Sequence, residues 1–157
     1  MTVARVAGAL LATSIAAGWW LHRRFVVVTV LGESMVPTFA HGDRVLVRRV
    51  RLARARAGDV VVAAWGVPEP GGPFPRTIEK PTPGRPSTLA PWMVKRLVAG
   101  PGDAVPEVVR PTVPDREVPP GRFLLLGDNV AASADSRVRG YAHAEYLLGV
   151  VVSRLPR

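Results

Sequence analysis

Short runs of apolar and β-branched residues alternate with polar turns over most of the chain after residue 24. Glycine and aspartate recur together in these turns, as at Gly42–Asp43 and Gly58–Asp59. Short apolar runs bounded by such turns are typical of β-strands, and they predict an all-β domain rather than alternating strands and helices. The predicted strands span residues 25–31, 44–50, 60–65, 93–99, 122–126 and 147–153, and the last strand is expected to close the sheet.

The beginning of the chain has a different pattern, because residues 6–21 contain no charged side chain. With the residues just before it, this run approaches the lower limit of a membrane-spanning helix, about 17–25 residues. Trp19 and Trp20 lie at its end, and Arg23 and Arg24 follow, as at the interface of a bilayer with water. A cleavable signal peptide and a buried core helix are the alternatives; the tryptophan pair and its basic neighbours favour an uncleaved anchor.

These patterns divide the chain into a predicted N-terminal membrane anchor, residues 1–24, and a predicted β-rich domain, residues 25–157. Within the second part, residues 66–91 hold eight of the sixteen prolines. Proline fixes φ and removes a backbone donor, so this stretch is expected to form neither a central strand nor a helix. It is predicted to be a solvated loop between two strands.

The charge balance is strongly basic, with a formal net charge of +9. Such a balance suits either nucleic acid or an anionic membrane surface. Only 6% of the residues are aromatic and the basic residues are scattered, which argues against the stacking platforms of a nucleic-acid-binding protein. Membrane lipids are therefore an expected partner, and nucleic acid is not.

Cysteine is absent from the sequence, which excludes disulfides, thiolate zinc sites and a cysteine nucleophile. His22, His41 and His143 are dispersed without the spacing of metal ligands, so neither a metal site nor a cofactor is expected. His41 and Asp43 lie near Ser34 in sequence, but closeness in sequence does not make a catalytic triad.

The segment Gly32–Thr38, with the sequence GESMVPT, directly follows a predicted strand. Pro37 directs a turn there, and a sharp change of chain direction exposes a serine as a nucleophile requires. Ser, Pro and Thr are also common residues of ordinary turns, so the segment on its own has a purely structural alternative. Ser34 is thus a candidate nucleophile, and a catalytic role for it requires a general base elsewhere in the chain.

The predicted strand at residues 93–99 places a lysine on an apolar face. With a strand period of two, Met93, Lys95 and Leu97 share that face. The chain has 19 arginines and two lysines, Lys80 and Lys95, and lysine can lose its proton when it is buried, whereas arginine cannot. Burial would lower the pKa of Lys95 from about 10.4, so that its neutral amine acts as a general base toward a serine. A surface lysine on an edge strand is the alternative.

A third polar segment, residues 127–140, has the sequence GDNVAASADSRVRG. The hydroxyl of Ser133 is expected to hold the amine of Lys95 in place. Asp135 and Arg137 are expected to brace this loop as an ion pair. A polar hairpin turn with a surface salt bridge is the alternative.

Taken in order, GESMVPT, HGDRVLV, VKRLVAGPGD and GDNVAASADSRVRG resemble the successive motif blocks of the type I signal peptidases, which are Ser–Lys dyad serine proteases. The resemblance implies that Ser34 is the nucleophile, Lys95 the general base and Ser133 the serine that orients the lysine. It also implies that Asp135 and Arg137 form the supporting ion pair. The backbone N–H of Ser34 would then be part of the oxyanion hole.

The same resemblance implies a coiled, mostly antiparallel β domain of signal-peptidase type, docked on the bilayer and preceded by one transmembrane helix. Such enzymes are membrane-bound serine endopeptidases that remove signal peptides from secreted precursors. They cut after a small-x-small motif, on the extracytoplasmic face of the cell membrane. Met35 and Phe39, beside the nucleophile, are then expected to face the membrane.

Departures from the family pattern indicate a minimal, Gram-positive-like form. Gly32 stands where some members have a serine as second oxyanion donor, so that donor is unassigned. The segment 104–120 is short, which leaves out the accessory lobe of larger relatives. Arg5 before the uncharged run and Arg23 and Arg24 after it favour a cytoplasmic body, opposite to the orientation that the resemblance implies.

Two further functions stay open at the level of sequence. A dedicated maturation protease of the same Ser–Lys type would trim one specific precursor, and a cytoplasmic catalytic domain would favour it. A non-catalytic, membrane-tethered module would bind peptides without cutting them. Lys95 argues against the second alternative, because a binding module does not need a lone lysine on an apolar strand face.

Overall fold

A computed structural model of the chain describes residues 19–20, 22–65 and 92–156. The described residues form seven strands: β1 (Phe25–Thr29), β2 (Arg44–Arg49), β3 (Val60–Ala63), β4 (Met93–Ala99), β5 (Arg122–Leu126), β6 (Ala142–His143) and β7 (Leu147–Leu155). One short α-helix, α1 (Ser136–Arg139), follows β5. Short 3-10 helices occupy Leu52–Arg54, Glu107–Val109, Val130–Ala132 and Ala144–Tyr146.

The strands form an antiparallel sheet with the order β1-β2-β7-β3-β4-β5-β6. The predicted all-β, antiparallel architecture is therefore confirmed for the described part of the chain. The register shifts once in each of the β2–β7, β3–β7 and β4–β5 pairings. Such bulges bend the bulged strand and increase its local twist, so the sheet is curved and not flat.

All six predicted strands are present, and β4 and β5 have the predicted bounds. Strands β1, β2 and β3 begin where predicted but end one or two residues earlier, and β7 extends two residues further, to Leu155. The prediction that the last strand closes the sheet is wrong. Val150 of β7 pairs with Arg48 of β2 on one side and with Val61 of β3 on the other, so β7 is a central strand. Strand β6 was not predicted, because two residues are too short to show a period of two.

Alternating side chains build two hydrophobic clusters on opposite faces of the sheet. Val61 and Leu97 belong to one cluster, whereas Val62 and Val94 belong to the other. Buried residues from the segment after β4, among them Val109, form a third cluster against β5. The alternation along β3 and β4 is the physical basis of the sequence pattern, because successive side chains of a strand point to opposite faces.

The predicted anchor, residues 1–24, lies outside the described residues except for a helical stretch at 19–20 and 22–24. Among the helices of the described residues, none is long and apolar enough to cross a membrane. The Pro-rich segment, residues 66–91, also lies outside the described part of the chain.

Candidate active site

Ser34 lies in the turn between β1 and β2, where the chain reverses over residues 32–39. The N–H of Gly42 donates to the C=O of Val30 at 2.8 Å and closes the base of the turn. The next side chain, Met35, is only 1% exposed and anchors the turn in the core. Ser34 itself is half-buried, which leaves its side chain accessible at the surface of a fixed turn.

The prediction that Met35 and Phe39 face the membrane is wrong. Both side chains are buried and pack against Val45 and Val47 of β2 in one core cluster. The guanidinium of Arg154 lies 5.1 Å from the centroid of the Phe39 ring and covers it. The reason is energetic, since burying a Phe or Met side chain stabilises a fold by about 1.5–3 kcal/mol.

Lys95 is buried in the middle of β4, with 3% of its surface exposed. Its Nζ donates to Oγ of Ser133 at 3.0 Å. Loss of water around the ammonium group lowers the pKa of Lys95 below its ordinary 10.5. The negative charge of Asp135 opposes this shift, and the positive charges of Arg139 and Arg137 add to it.

Asp135 is fully buried and holds the other side of Ser133. Its Oδ2 accepts hydrogen bonds from Oγ of Ser133 at 2.7 Å and from the N–H of Gly127 at 2.8 Å. Arg137 donates to the same carboxylate through Nε at 2.9 Å and through a terminal nitrogen at 2.6 Å. Burial alone would raise the pKa of Asp135, but these hydrogen bonds outweigh it and hold the pKa below its ordinary value.

Gly127 is the point at which the two predicted catalytic segments meet. A Cβ on this residue would lie 2.2 Å from Oγ of Ser133 and 2.6 Å from the backbone oxygen of Ser34. The N–H of Asn129 donates to that same oxygen at 3.0 Å. The structure thus brings the turn of Ser34 directly against the serine that contacts Lys95.

A second set of contacts, which sequence reasoning missed, ties the turn to the sheet. Arg96 donates to both carboxylate oxygens of Asp128, at 2.8 and 2.7 Å. Thr38, at the far end of the turn, donates through its hydroxyl to Asp128 at 2.5 Å. Arg96 also donates to the C=O of Gly58 at 2.8 Å. We call Thr38, Arg96 and Asp128 the turn clamp.

The sequence indicated the residues of the turn clamp only in part. Arg96 directly follows Lys95, and Asp128 lies in the third polar segment, so both residues fall inside the quoted motif blocks. By the period of two, Arg96 lies on the face of β4 opposite to Lys95. Its partner lies 32 residues away, and a contact of that separation requires knowledge of which strands are neighbours.

The remaining polar candidates have local roles. Nδ1 of His41 accepts the N–H of Gly32 at 3.1 Å, which braces the backbone just before Ser34. Gly32 has a φ of +85°, a left-handed conformation that a glycine adopts without strain. Among the described residues, no group of three or more His, Asp or Glu side chains is arranged to hold a metal ion.

Comparison with known proteins relates the chain to one family and to one curated protein. The family model described as signal peptidase, peptidase S26, matches residues 3–113 and 106–155. Mitochondrial inner membrane protease subunit 1 of Schizosaccharomyces pombe is 31% identical to the chain over 137 residues. That alignment covers 83% of this chain and 73% of the yeast protein.

Proposed function

Since the chain belongs to the peptidase S26 family of signal peptidases, we propose that it is a membrane-bound endopeptidase that removes signal peptides by Ser–Lys dyad catalysis. Membership of this family makes it a serine peptidase of the signal peptidase I type. The observation that carries the assignment of the dyad is the buried amine of Lys95, hydrogen-bonded to Ser133 at 3.0 Å.

In the proposed mechanism, the neutral amine of Lys95 takes the proton of the Ser34 hydroxyl as Oγ attacks the scissile carbonyl. The negative charge on the carbonyl oxygen is stabilised by the backbone N–H of Ser34. The resulting ammonium group gives its proton to the leaving amine, which departs and leaves an acyl group on Ser34. Lys95 then takes a proton from water, whose oxygen attacks the acyl carbon. The ammonium group of Lys95 gives that proton to Oγ of Ser34 as the ester bond breaks, which releases the product acid and restores the serine hydroxyl and the neutral amine.

The supporting residues act through Lys95. Ser133 orients the amine, and the Asp135–Arg137 pair holds Ser133, since the carboxylate accepts from both side chains. Orientation matters because a general base must lie within hydrogen-bonding reach of the proton that it removes.

The proposed substrates are precursor proteins with a small-x-small cleavage site, cut at the extracytoplasmic face of the cell membrane. Residues 1–24 are the proposed single-pass anchor and residues 25–157 the catalytic domain. The S26 match supports the processing of signal peptides. The named yeast relative is a subunit of a mitochondrial inner membrane protease, which supports association with a membrane and a second candidate, a maturation protease for particular precursors.

The non-catalytic alternative fits the site less well. A peptide-binding module gains nothing from a buried lysine, because taking an ammonium group out of water destabilises the fold unless it is compensated. In this chain three residues, Ser133, Asp135 and Arg137, are arranged in a chain of contacts that ends on that amine.

The first prediction tests the dyad. Ser34→Ala and Lys95→Arg are each expected to lower the cleavage of a precursor with an Ala-x-Ala site at least about 10³-fold in detergent, because the nucleophile or the base is lost. Arginine keeps the positive charge but cannot give up its proton. Cleavage is followed by mass spectrometry of the products, and circular dichroism checks that each variant is folded.

Lys80→Arg is the matched control, since it makes the same substitution at the other lysine of the chain. It is expected to cut at the rate of the unmodified protein. Turnover retained by purified Lys95→Arg would refute the Ser–Lys mechanism. If the unmodified protein cuts a specific maturation precursor but leaves the Ala-x-Ala precursor intact, the dedicated maturation protease is the correct function.

A further inference from the structure

The connection from β2 to β3 is unusually rich in arginine. Residues 48–56 contain five arginines, and no acidic residue occurs from Arg44 to Gly58. Four of the five side chains are exposed and that of Arg49 is half-buried. None of the ion pairs among the described residues involves them. The carboxylate of Asp59 accepts the backbone N–H of Arg56 at 2.9 Å, but the arginine side chains themselves are not paired within the described part of the chain, so the segment presents net positive charge to solvent.

This segment lies next to the point at which the chain enters the sheet. Arg48 of β2 is paired in register with Phe25, the first residue of β1. Phe25 follows the helical stretch that carries Trp19 and Trp20, whose side chains are 58% and 50% exposed. The exposed indole rings of Trp19 and Trp20 thus come just before Phe25, the residue of β1 that pairs with Arg48 at the start of the arginine segment.

The helical stretch adds two more arginines. The guanidinium of Arg23 lies 3.9 Å from the centroid of the Trp19 ring, and that of Arg24 lies 4.8 Å from the Trp20 ring. Stacked on indole, these guanidinium groups keep donors available for a phosphate. The preceding residues 6–18 carry no charged side chain.

We propose that the arginines of residues 48–56, with Trp19, Trp20, Arg23 and Arg24, form a surface that binds the phosphate headgroups of an anionic phospholipid bilayer. We call these residues the headgroup surface. Tryptophan prefers the interface between headgroups and acyl chains. Arginine pairs with phosphate through two donors, and clusters of basic residues beside an apolar segment recognise anionic lipid. The proposal goes beyond the protease activity and does not depend on Ser34 or Lys95.

A bilayer fits this surface better than nucleic acid. The indole faces are partly covered by guanidinium groups instead of being open for a stacked base. In the sequence, the residues immediately before Trp19 carry no charge, which suits a segment beside acyl chains and not one beside a polyanion. Charge complementarity and the uncharged neighbouring sequence together therefore indicate lipid.

The test measures a preference between two membranes, because the apolar N-terminal run would bring the full chain to any vesicle. Purified full-length protein in detergent is diluted into a mixture of phosphatidylcholine vesicles and vesicles with about 30% phosphatidylglycerol, and flotation separates the two populations. The unmodified protein is expected to be enriched about tenfold on the anionic vesicles at low salt, and much less in about 0.5 M NaCl.

Two triple variants of equal net charge identify the surface. Arg51→Gln, Arg54→Gln and Arg56→Gln remove three charges from the headgroup surface and are expected to reduce the enrichment to about twofold. The control variant removes three exposed arginines elsewhere and is expected to keep the tenfold preference; its substitutions are Arg44→Gln, Arg110→Gln and Arg116→Gln. Cleavage of a precursor in neutral detergent is measured in parallel and is expected to be unchanged in both variants. The cleavage assay tests the protease proposal and the vesicle assay tests the headgroup surface, so one proposal can fail without the other.

Equal losses of preference in the two triple variants would mean that net charge, not this surface, attracts the vesicles, and the proposal would be wrong. Unchanged preference in the first variant would also overturn it. An arginine-dependent binding of a single-stranded oligonucleotide, without a preference for anionic vesicles, would reassign the surface to nucleic acid. If the first triple variant does not fold, Arg51→Gln alone is used, with an expected loss of about twofold.

Discussion

At the scale of single residues, the environment of Lys95 determines which proton states the site can adopt. Burial favours the neutral amine, and the positive charges of Arg139 and Arg137 act in the same direction. Asp135 acts in the opposite direction, but its carboxylate is already bound by Arg137 through two hydrogen bonds. The site thus keeps a carboxylate within reach to orient Ser133 without returning the lysine to its ordinary pKa.

The pH dependence of cleavage is the second prediction. The value of kcat/KM is expected to rise with pH through the lowered pKa of Lys95, because the protonated amine cannot accept the proton of Ser34. It is expected to level off before the ordinary lysine value of 10.5. Initial rates over a range of pH measure the profile, with Lys80→Arg as the matched control.

A profile that rises near pH 4 and is flat above it would contradict this prediction. Such a rise would indicate a carboxylate base, since free Asp and Glu titrate at about 3.9–4.3.

At the scale of elements, three segments meet at one place: the turn after β1, strand β4, and the loop between β5 and α1. The loop is the shared support. Its Asn129 and Asp128 hold the turn, and its Ser133 contacts the lysine of β4. The relative positions of the proposed nucleophile and the proposed base therefore depend on a loop that supplies neither of them.

The third prediction concerns the closest approach among these segments. Gly127→Ala is expected to reduce kcat at least about 100-fold and to destabilise the fold by about 1–3 kcal/mol, because the new Cβ overlaps Ser133 and the backbone of Ser34. Gly100→Ala is the matched control, since its Cβ would meet only Asp103, at an ordinary 3.8 Å. Kinetics and urea unfolding measure both variants; full activity of Gly127→Ala would show that the turn moves away without consequence.

The fourth prediction concerns the turn clamp. Arg96→Lys is expected to lower kcat about tenfold, because a lysine ammonium cannot reproduce the two-pronged contact with Asp128 or the bond to Gly58. Arg110→Lys is the control, since Arg110 contacts Glu107 at the surface. Equal rates for Arg96→Lys and the unmodified protein would mean that the clamp does not position Ser34.

The sequence was most informative where one residue type decides the outcome. The period of two placed Lys95 on the apolar face of β4, and the structure buries it there. The pattern could not place β7 in the middle of the sheet or pair Arg96 with Asp128, because both depend on which distant segments are neighbours. The burial of Met35 and Phe39 was missed for the same reason: the pattern marks apolar side chains but does not say what covers them.

At the scale of the whole molecule, buried and paired carboxylates link the stability of the fold to pH. Arg96 and Thr38 hold the pKa of Asp128 below its ordinary 3.8, against a smaller opposing effect of burial. Asp135 has a lowered pKa as well. A carboxylate of lowered pKa stabilises the fold above the unfolded-state value of 3.8, and this contribution is lost as the pH falls through the folded-state value.

The fifth prediction follows from that sign. The free energy of unfolding in urea is expected to be lower at pH 3 than at pH 7, and Asp128→Asn is expected to make the difference smaller, because one group of lowered pKa is removed. Glu107→Gln, which removes one partner of an exposed ion pair, is the control and is expected to keep the full difference. A pH dependence that is unchanged in Asp128→Asn would contradict the assignment.

The central place of β7 has a consequence for how the protein is made on the ribosome. Strands β1 and β2 are joined to strands β3 to β6 through β7, which is synthesised after all of them. Until residues 147–155 have emerged from the exit tunnel, the two halves of the sheet lack the strand that unites them, and pairings so distant in sequence form slowly. The complete sheet, with the Ser34 turn and the Lys95 strand on the two sides of β7, can therefore form only after the last strand has been synthesised.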